Sequence, residues 1–195
     1  MRLRPVVMAD AAFIVWLRNL GHAVGRVGDS ATEIGGQQKW LEAYFAREGD
    51  YYFIAETPDG IPVGTYGIYD VVGRTAESGR WIMRPGVTAA LPSGFALYEI
   101  AFRQLQLSEL VGTTVATNLP VLSLNRKFGW RQTHVEPAAQ IIAGQAVDLI
   151  HFVLTPSAWD EAQTRLLPLA RLAETHILAW EKSQRQNPET PWMKP

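Results

Sequence analysis

Residues 115–130, VATNLPVLSLNRKFGW, constrain the fold most strongly, because they predict a strand, a sharp turn, a short helix and a glycine stop. The first three residues are partly β-branched, as at the end of a buried strand. Pro120 suits a first helical position, which tolerates its missing N–H. Gly129 is placed to end the helix in a left-handed conformation. One apolar helical face is predicted from the spacing of Val121, Leu124 and Phe128.

The remaining segments complete a predicted order of strand, two helices, three strands, helix, strand, helix and two strands. This order predicts an α/β or α+β fold with a mixed central sheet of about seven strands flanked by helices. A strand at 75–83, a helix at 92–105 and a strand at 110–117 form a crossover, expected to be parallel and right-handed. The last two strands are predicted at 131–136 and 146–154, with a loop over 137–144 between them.

Composition excludes several classes of function. The 195 residues have a formal net charge of −1, which gives no general attraction to nucleic acid or to an anionic membrane. Cysteine is absent and the four histidines show no ligand spacing, so we expect no metal site. No apolar run reaches the roughly 18 residues of a membrane helix, and the first residues do not form a signal peptide. We therefore expect a cytoplasmic location.

Two segments stand apart from the regular pattern. Residues 21–36 contain five glycines and predict a long loop or broken helix, which could be a lid or one wall of a cleft. Residues 157–185 predict a helix that Pro168 should kink or split, followed by a tail expected to fray. We predict one domain over 1–156 and a C-terminal helical extension over 157–195. Its apolar stripe must cover the domain itself or a second copy, which leaves homodimerisation through these helices open.

Three motifs carry a resemblance to a known family. A strand ends in Asn118, and the following helix ends in Lys127, Gly129 and Trp130. The sequence AESGRW at 76–81 places an acidic residue before Gly and an aromatic residue, and WLRN at 16–19 is followed by QKWL at 38–41. With these motifs, residues 1–156 resemble the GNAT superfamily of acyl-CoA-dependent N-acyltransferases. The third motif is similar to the branch that acetylates nucleotide-linked amino sugars, and the branch that acetylates ribosomal-protein N-termini is also close.

The resemblance implies an N-acetyltransferase that moves acetyl from acetyl-CoA, a cosubstrate, to a primary amine. The amine would attack directly, through a tetrahedral intermediate. The expected acceptor is a small molecule, such as a nucleotide-linked amino sugar. Two alternatives stay open: a protein N-terminal acetyltransferase and a catalytically silent acyl-CoA-binding relative.

The resemblance also implies roles for particular residues. Glu77 would be the catalytic base that takes the amine proton, although it could instead be a solvated residue or pair with Arg80. His134 is a lesser candidate for the base. Asn118 would contact CoA or its pantetheine arm, or simply stabilise the strand-to-helix turn. Backbone amides of the fourth strand would stabilise the oxyanion and bind the thioester, and these belong to Trp81, Ile82 and Met83.

Two positions depart from the family pattern. The pyrophosphate loop corresponds to AALPSG, in which Gly94 alone fits and Pro92 removes an N–H donor. Phosphate would still be bound by the N-terminus of the following helix. Asn125 stands where many members have a tyrosine acid, and it could hydrogen-bond the departing sulfur or the pantetheine arm. The remaining expected cofactor-binding residues are Ala89, Ala90, Leu91 and Ser93.

The acceptor side of the predicted site depends on the first helix and its exit. Arg18 and His22 could face an anionic acceptor such as a nucleotide diphosphate. The alternative is that both belong to a solvated helix face.

Overall fold

The computed structural model describes residues 1–23, 31–142 and 144–186, so residues 24–30 of the loop predicted over 21–36 and the tail at 187–195 lie outside the described residues. The described residues form one sheet with helices around it. Its strands are β1 (Arg2–Pro5), β2 (Tyr51–Glu56), β3 (Pro62–Val72), β4 (Thr75–Met83), β5 (Glu109–Val115), β6 (Arg131–Ile142) and β7 (Gln145–Leu154). The α-helices are α1 (Ala11–Arg18), α2 (Ile34–Phe45), α3 (Ala90–Glu99), α4 (Leu119–Phe128) and α5 (Pro156–Gln186).

The sheet has the strand order β1-β2-β3-β4-β5-β7-β6. Neighbouring strands are antiparallel except for β4 and β5, which run parallel and confirm the predicted crossover. The β4–β5 register begins at Thr75 opposite Glu109 and ends at Glu77 opposite Val111. Both strands continue beyond that point, so they diverge and leave a gap in the sheet.

The segment at 115–130 forms the predicted strand end, turn and helix. Gly129 ends α4 with a φ of 89°, in the left-handed region that glycine adopts most readily. Pro120 occupies the second helical position, not the first. The buried face of α4 is rotated from the prediction: it presents Leu122, Asn125 and Phe128 to the interior. This rotation turns Asn125 toward β5, where its amide donates to the Thr114 hydroxyl at 3.4 Å.

The loop predicted over 137–144 is wrong, because β6 continues to Ile142 and pairs with β7 along the hairpin. The register shifts between Glu136 and Gln140. Ala138 has a φ of 52°, and its N–H donates to the Asp148 carboxylate at 2.9 Å. This bulge accommodates Pro137, and β6 is an edge strand of the sheet, where proline is tolerated.

Helix α5 packs on the chain's own domain. Trp159 is fully buried, and its ring lies 4.9 Å from both Phe95 and Tyr98 and 6.0 Å from Phe128. The helix is not split at Pro168. The buried part of the apolar stripe thus packs on the domain itself, whereas Leu169 and Leu172 stay exposed. The boundary at 156 and homodimerisation stay predictions.

Candidate active site

A cavity of about 640 Å³ opens where β4 and β5 diverge. Its walls come from Ser78 on β4 and Gly112 on β5, with Asn118 and Asn125 of the α4 segment on one side. Residues of α1 and α2 line the other side. The divergence therefore creates the cavity, since paired strands would fill this space.

Glu77 is the last residue of β4 that pairs with β5, and it lines the cavity. The Tyr69 hydroxyl donates to its Oε1 at 2.9 Å. Within the described part of the chain, no donor is bonded to Oε2. The half-buried carboxylate is thus held by one oxygen, and the other is available to accept a proton.

Arg80 does not pair with Glu77, as one alternative supposed. Its guanidinium forms a bidentate pair with Asp50, with Nη2 2.9 Å from Oδ2. The guanidinium carbon lies 4.3 Å above the Tyr69 ring and 5.3 Å from Trp40, within cation–π range. Arg80 has a φ of 55°, and its carbonyl accepts a hydrogen bond from the Thr65 hydroxyl at 2.8 Å. Such strained backbone persists where surrounding contacts fix it, often at functional sites.

The charged lining of the cavity is mostly cationic. Among its described lining residues, Arg18, Arg47 and Arg80 carry positive charge, and Glu77 is the acidic one. Arg18 thus lines the cavity, and its contact with an acceptor stays a prediction. His22 does not line the cavity; its Nε2 donates to the Met83 carbonyl at 3.2 Å.

The segment expected to bind pyrophosphate lies behind the cavity wall. Ala89 and Ser93 are fully buried, and the residues at 89–94 do not line the cavity. The Ser93 hydroxyl accepts a hydrogen bond from the Trp81 indole at 3.0 Å and donates to the Ala90 carbonyl at 2.8 Å. The amides of Ala90 and Leu91 lie in the first turn of α3, where backbone N–H groups have no acceptor within the helix. These two amides are therefore the donors this segment can offer to an anion.

Gly94 is required for packing. A Cβ at this position would overlap the Phe128 ring, with Cε1 only 2.9 Å away. We expect Gly94→Ala to lower the free energy of unfolding by about 1–3 kcal/mol, because overpacking forces neighbouring atoms apart. Urea denaturation measures the loss, with Gly21→Ala as the control, since a Cβ there meets no atom within 4 Å. Equal losses in the two variants would contradict the packing role.

The three residues whose amides are predicted to bind the oxyanion do not all line the cavity. Trp81 lines the cavity and stacks on Tyr66 with ring centroids 4.9 Å apart. Ile82 and Met83 lie beyond the cavity, paired with β3. His134 also lies outside it, stacked on His151 at 4.0 Å on an exposed hairpin. The structure thus brings together Glu77, Trp81, Asn118, Asn125 and Arg18.

Within residues 1–23, 31–142 and 144–186, no group of three or more histidine, aspartate or glutamate side chains is arranged to hold a metal ion. No helix in those same ranges is long and apolar enough to cross a membrane.

Known proteins were compared with the chain. Residues 1–131 match the family model described as an acetyltransferase (GNAT) domain. No curated protein matches the sequence. A solved structure of FdhC, described as a nucleotide-linked sugar GNAT, is 26% identical with a TM-score of 0.70, covering 85% of this chain and 92% of its own.

A variant of the spermidine N-acetyltransferase SpeG from Vibrio cholerae is 16% identical, with a TM-score of 0.72. The match covers 80% of this chain and 94% of SpeG, and at that identity it supports the fold alone. The family model, by contrast, covers more than half of the chain. The chain therefore belongs to the GNAT family and is an acetyl-CoA-dependent N-acetyltransferase.

Proposed function

We propose that the protein acetylates the primary amine of an anionic small molecule, with a nucleotide-linked amino sugar as the model acceptor. The observation that carries this proposal is the position of Glu77 in a cavity whose other described charged lining residues are three arginines, Arg18, Arg47 and Arg80. The carboxylate suits a base, and the arginines suit phosphate groups.

The proposed reaction needs one proton acceptor and one electrophile. The neutral amine nitrogen attacks the acetyl carbonyl carbon, a C–N bond forms, and the C–S bond to CoA breaks. The nitrogen loses its proton to Oε2 of Glu77, and CoA leaves as a thiolate. With a thiol pKa of roughly 8.5, that group leaves without a strong acid, which is compatible with Asn125 in place of a tyrosine.

Two parts of the site are proposed to contact CoA, one for its pantetheine arm and one for its phosphates. Asn118 and Asn125 border the cavity and can hydrogen-bond the amides of a pantetheine arm. The amides of Ala90 and Leu91 could bind phosphate at the helix N-terminus. Ser93 bonds to Trp81 and Gly94 packs against Phe128, so we assign both residues to holding the first turn of α3 in place.

The charged side chains that line the cavity favour an anionic acceptor over a polyamine. A polyamine carries several positive charges. Asp50 pairs with Arg80 and lies 3.5 Å from Arg47, but the three lining arginines still outnumber Glu77 and Asp50 and would repel it. A nucleoside diphosphate offers at least two negative charges that guanidinium groups bind in bidentate geometry. The similarity to FdhC, a nucleotide-linked sugar GNAT, agrees with this choice.

An acceptor panel tests the proposal. We would measure thiol release from acetyl-CoA with a nucleoside-diphosphate-linked amino sugar, the free amino sugar, spermidine and a short peptide. The nucleotide-linked sugar is expected to give the highest kcat/KM, about 100-fold above the free sugar, because bidentate phosphate contacts add binding energy. Preference for spermidine or for the peptide would overturn the proposal. Acetyl-CoA binding by calorimetry without turnover on any amine would support the silent relative instead.

Arg47→Ala separates acceptor binding from chemistry. Arg47 lines the cavity, so its loss is expected to raise the KM for the nucleotide-linked sugar about 10-fold, with little change for the free sugar. Arg103→Ala is the matched control, because Arg103 forms a surface pair with Asp160 away from the cavity. The same KM in both variants would remove Arg47 from acceptor recognition.

A further inference from the structure

We propose that Tyr69 is a positioning residue that holds Glu77 in its reactive orientation, and that Arg80 and Asp50 hold Tyr69 in turn. This inference rests on the proposed function, in which Glu77 takes the proton of the amine. Tyr69 contacts the carboxylate and is not required to touch either substrate.

Tyr69 and Glu77 face each other across the β3–β4 ladder, where they are direct register partners. The hydroxyl of Tyr69 donates to Oε1 at 2.9 Å. A carboxylate on a strand has several open rotamers, and a bond to one oxygen selects among them. The selected rotamer uses Oε1 for the bond to Tyr69 and leaves Oε2 for the proposed proton transfer, and both residues line the cavity.

Gly79 makes this contact sterically feasible. A Cβ at Gly79 would overlap the Tyr69 hydroxyl and would lie 3.1 Å from the ring carbon that carries it. The phenol therefore passes directly over Gly79 to reach the carboxylate. Any larger residue at this position would displace the hydroxyl from Glu77.

Arg80 fixes the phenol from its other side. The guanidinium carbon lies 4.3 Å from the Tyr69 ring centroid, and the bidentate pair with Asp50 prevents it from swinging away. The Tyr69 ring is held in one orientation, because Arg80 stacks on its face and Glu77 accepts from its hydroxyl. The strained φ of 55° at Arg80 is what aims its side chain at Tyr69.

The hydrogen bond has a fixed direction. Burial raises the pKa of Tyr69 above its usual value, and the neighbouring charges of Glu77 and Asp70 raise it further, while Arg80 lowers it in part. The phenol thus stays protonated at working pH and acts as a permanent donor. A permanent donor keeps Oε1 of Glu77 bonded, so the orientation of the carboxylate does not depend on the charge of the phenol.

A double-mutant cycle with Tyr69→Phe and Glu77→Gln tests the inference. Tyr69→Phe is expected to lower kcat about 10- to 100-fold, as for loss of a hydrogen bond to a charged group. The acidic limb of its pH profile should move to higher pH, since the carboxylate loses its donor, and both KM values should stay within about twofold. In the Glu77→Gln background, Tyr69→Phe should cause no further loss.

Three further variants sharpen the experiment. Gly79→Ala should reproduce the pH shift of Tyr69→Phe, because it displaces the hydroxyl without removing it. Asp50→Asn should give a smaller shift in the same direction. Tyr51→Phe, on an exposed tyrosine of the same sheet, should leave the profile unchanged. If Tyr69→Phe does not fold, Gly79→Ala and Asp50→Asn take its place in the cycle.

The outcomes separate this inference from the proposed function. If Glu77→Gln keeps full activity, the proposed function fails. If Glu77→Gln is impaired but Tyr69→Phe causes the same loss in both backgrounds, with an unmoved pH profile, Tyr69 is only structural and this inference fails.

Discussion

Replacing Glu77 with glutamine is expected to lower kcat about 100-fold or more, the typical contribution of a positioned general base. Glutamine keeps the size of the side chain and its hydrogen bond from Tyr69, but it cannot accept the amine proton. Acetyl-CoA affinity should change less than about twofold, since Glu77 lies on the acceptor side of the proposed site. Steady-state kinetics with the best amine of the panel and calorimetry with acetyl-CoA measure the two quantities.

Glu109→Gln is the matched control for this result. Glu109 begins β5, at the closed end of the same parallel pair, and does not line the cavity. Its neutralisation should leave both quantities unchanged. If Glu77→Gln turns over at the normal rate, another group takes the proton and the assignment of the base is wrong.

Trp159→Ala is expected to lower the free energy of unfolding by about 3–5 kcal/mol, the range for deleting a large buried aromatic side chain. Trp159 belongs to α5, yet it is fully buried among Phe95, Tyr98 and Phe128 of the main core. Its loss would leave a cavity beneath α5 that these rings cannot fill without moving. Urea denaturation followed by far-UV circular dichroism measures the change.

Two controls identify the cause. Trp159→Phe should destabilise less, because it keeps an aromatic ring and removes an indole N–H that is buried without a hydrogen-bond partner among the described residues. Leu172→Ala, on the exposed side of the same helix, should change stability by about 0.5 kcal/mol or less. Losses of similar size for Trp159→Ala and Leu172→Ala would mean that α5 contributes little to the core.

Much of the fold can be predicted because its signals are local. The strand, turn and helix of residues 115–130 each depend on neighbours within one or two turns, and all three elements are present. The predicted face of α4 is right for Phe128, which is fully buried, and Leu124 packs against the core at its edge. Asn125 is more deeply buried than Val121 because it faces β5 and the cavity, a tertiary preference that periodicity does not record.

The second hairpin shows a different limit. A loop is predicted over 137–144, yet a bulge lets β6 continue past Pro137. A bulge depends on a partner side chain, here that of Asp148, which accepts from the Ala138 amide. A hydrogen bond between residues ten positions apart cannot be predicted from the local sequence.

The site is predictable in part. The motif at 76–81 points to Glu77 and offers Arg80 as its partner, but no motif points to Tyr69 or Asp50. Counting back from the β3–β4 turn fails to pair Tyr69 with Glu77, because the register shifts between Tyr69 and Val72. The positive φ of Arg80 sends its side chain to Asp50, thirty residues away, which no strand alternation predicts.

Helix α5 also has a mechanical consequence. Its C-terminal end contacts the β2–β3 turn, where Glu181 accepts from the Asp59 amide at 2.6 Å. At its other end, the Ala158 carbonyl abuts Gly129 beyond the gap between β4 and β5. We expect a helix of this length, roughly 46 Å, with contacts at both ends, to limit how far the two halves of the sheet can separate. The width of the cleft would then depend on a segment outside residues 1–131, and acceptor size could be tuned without altering a residue of the site.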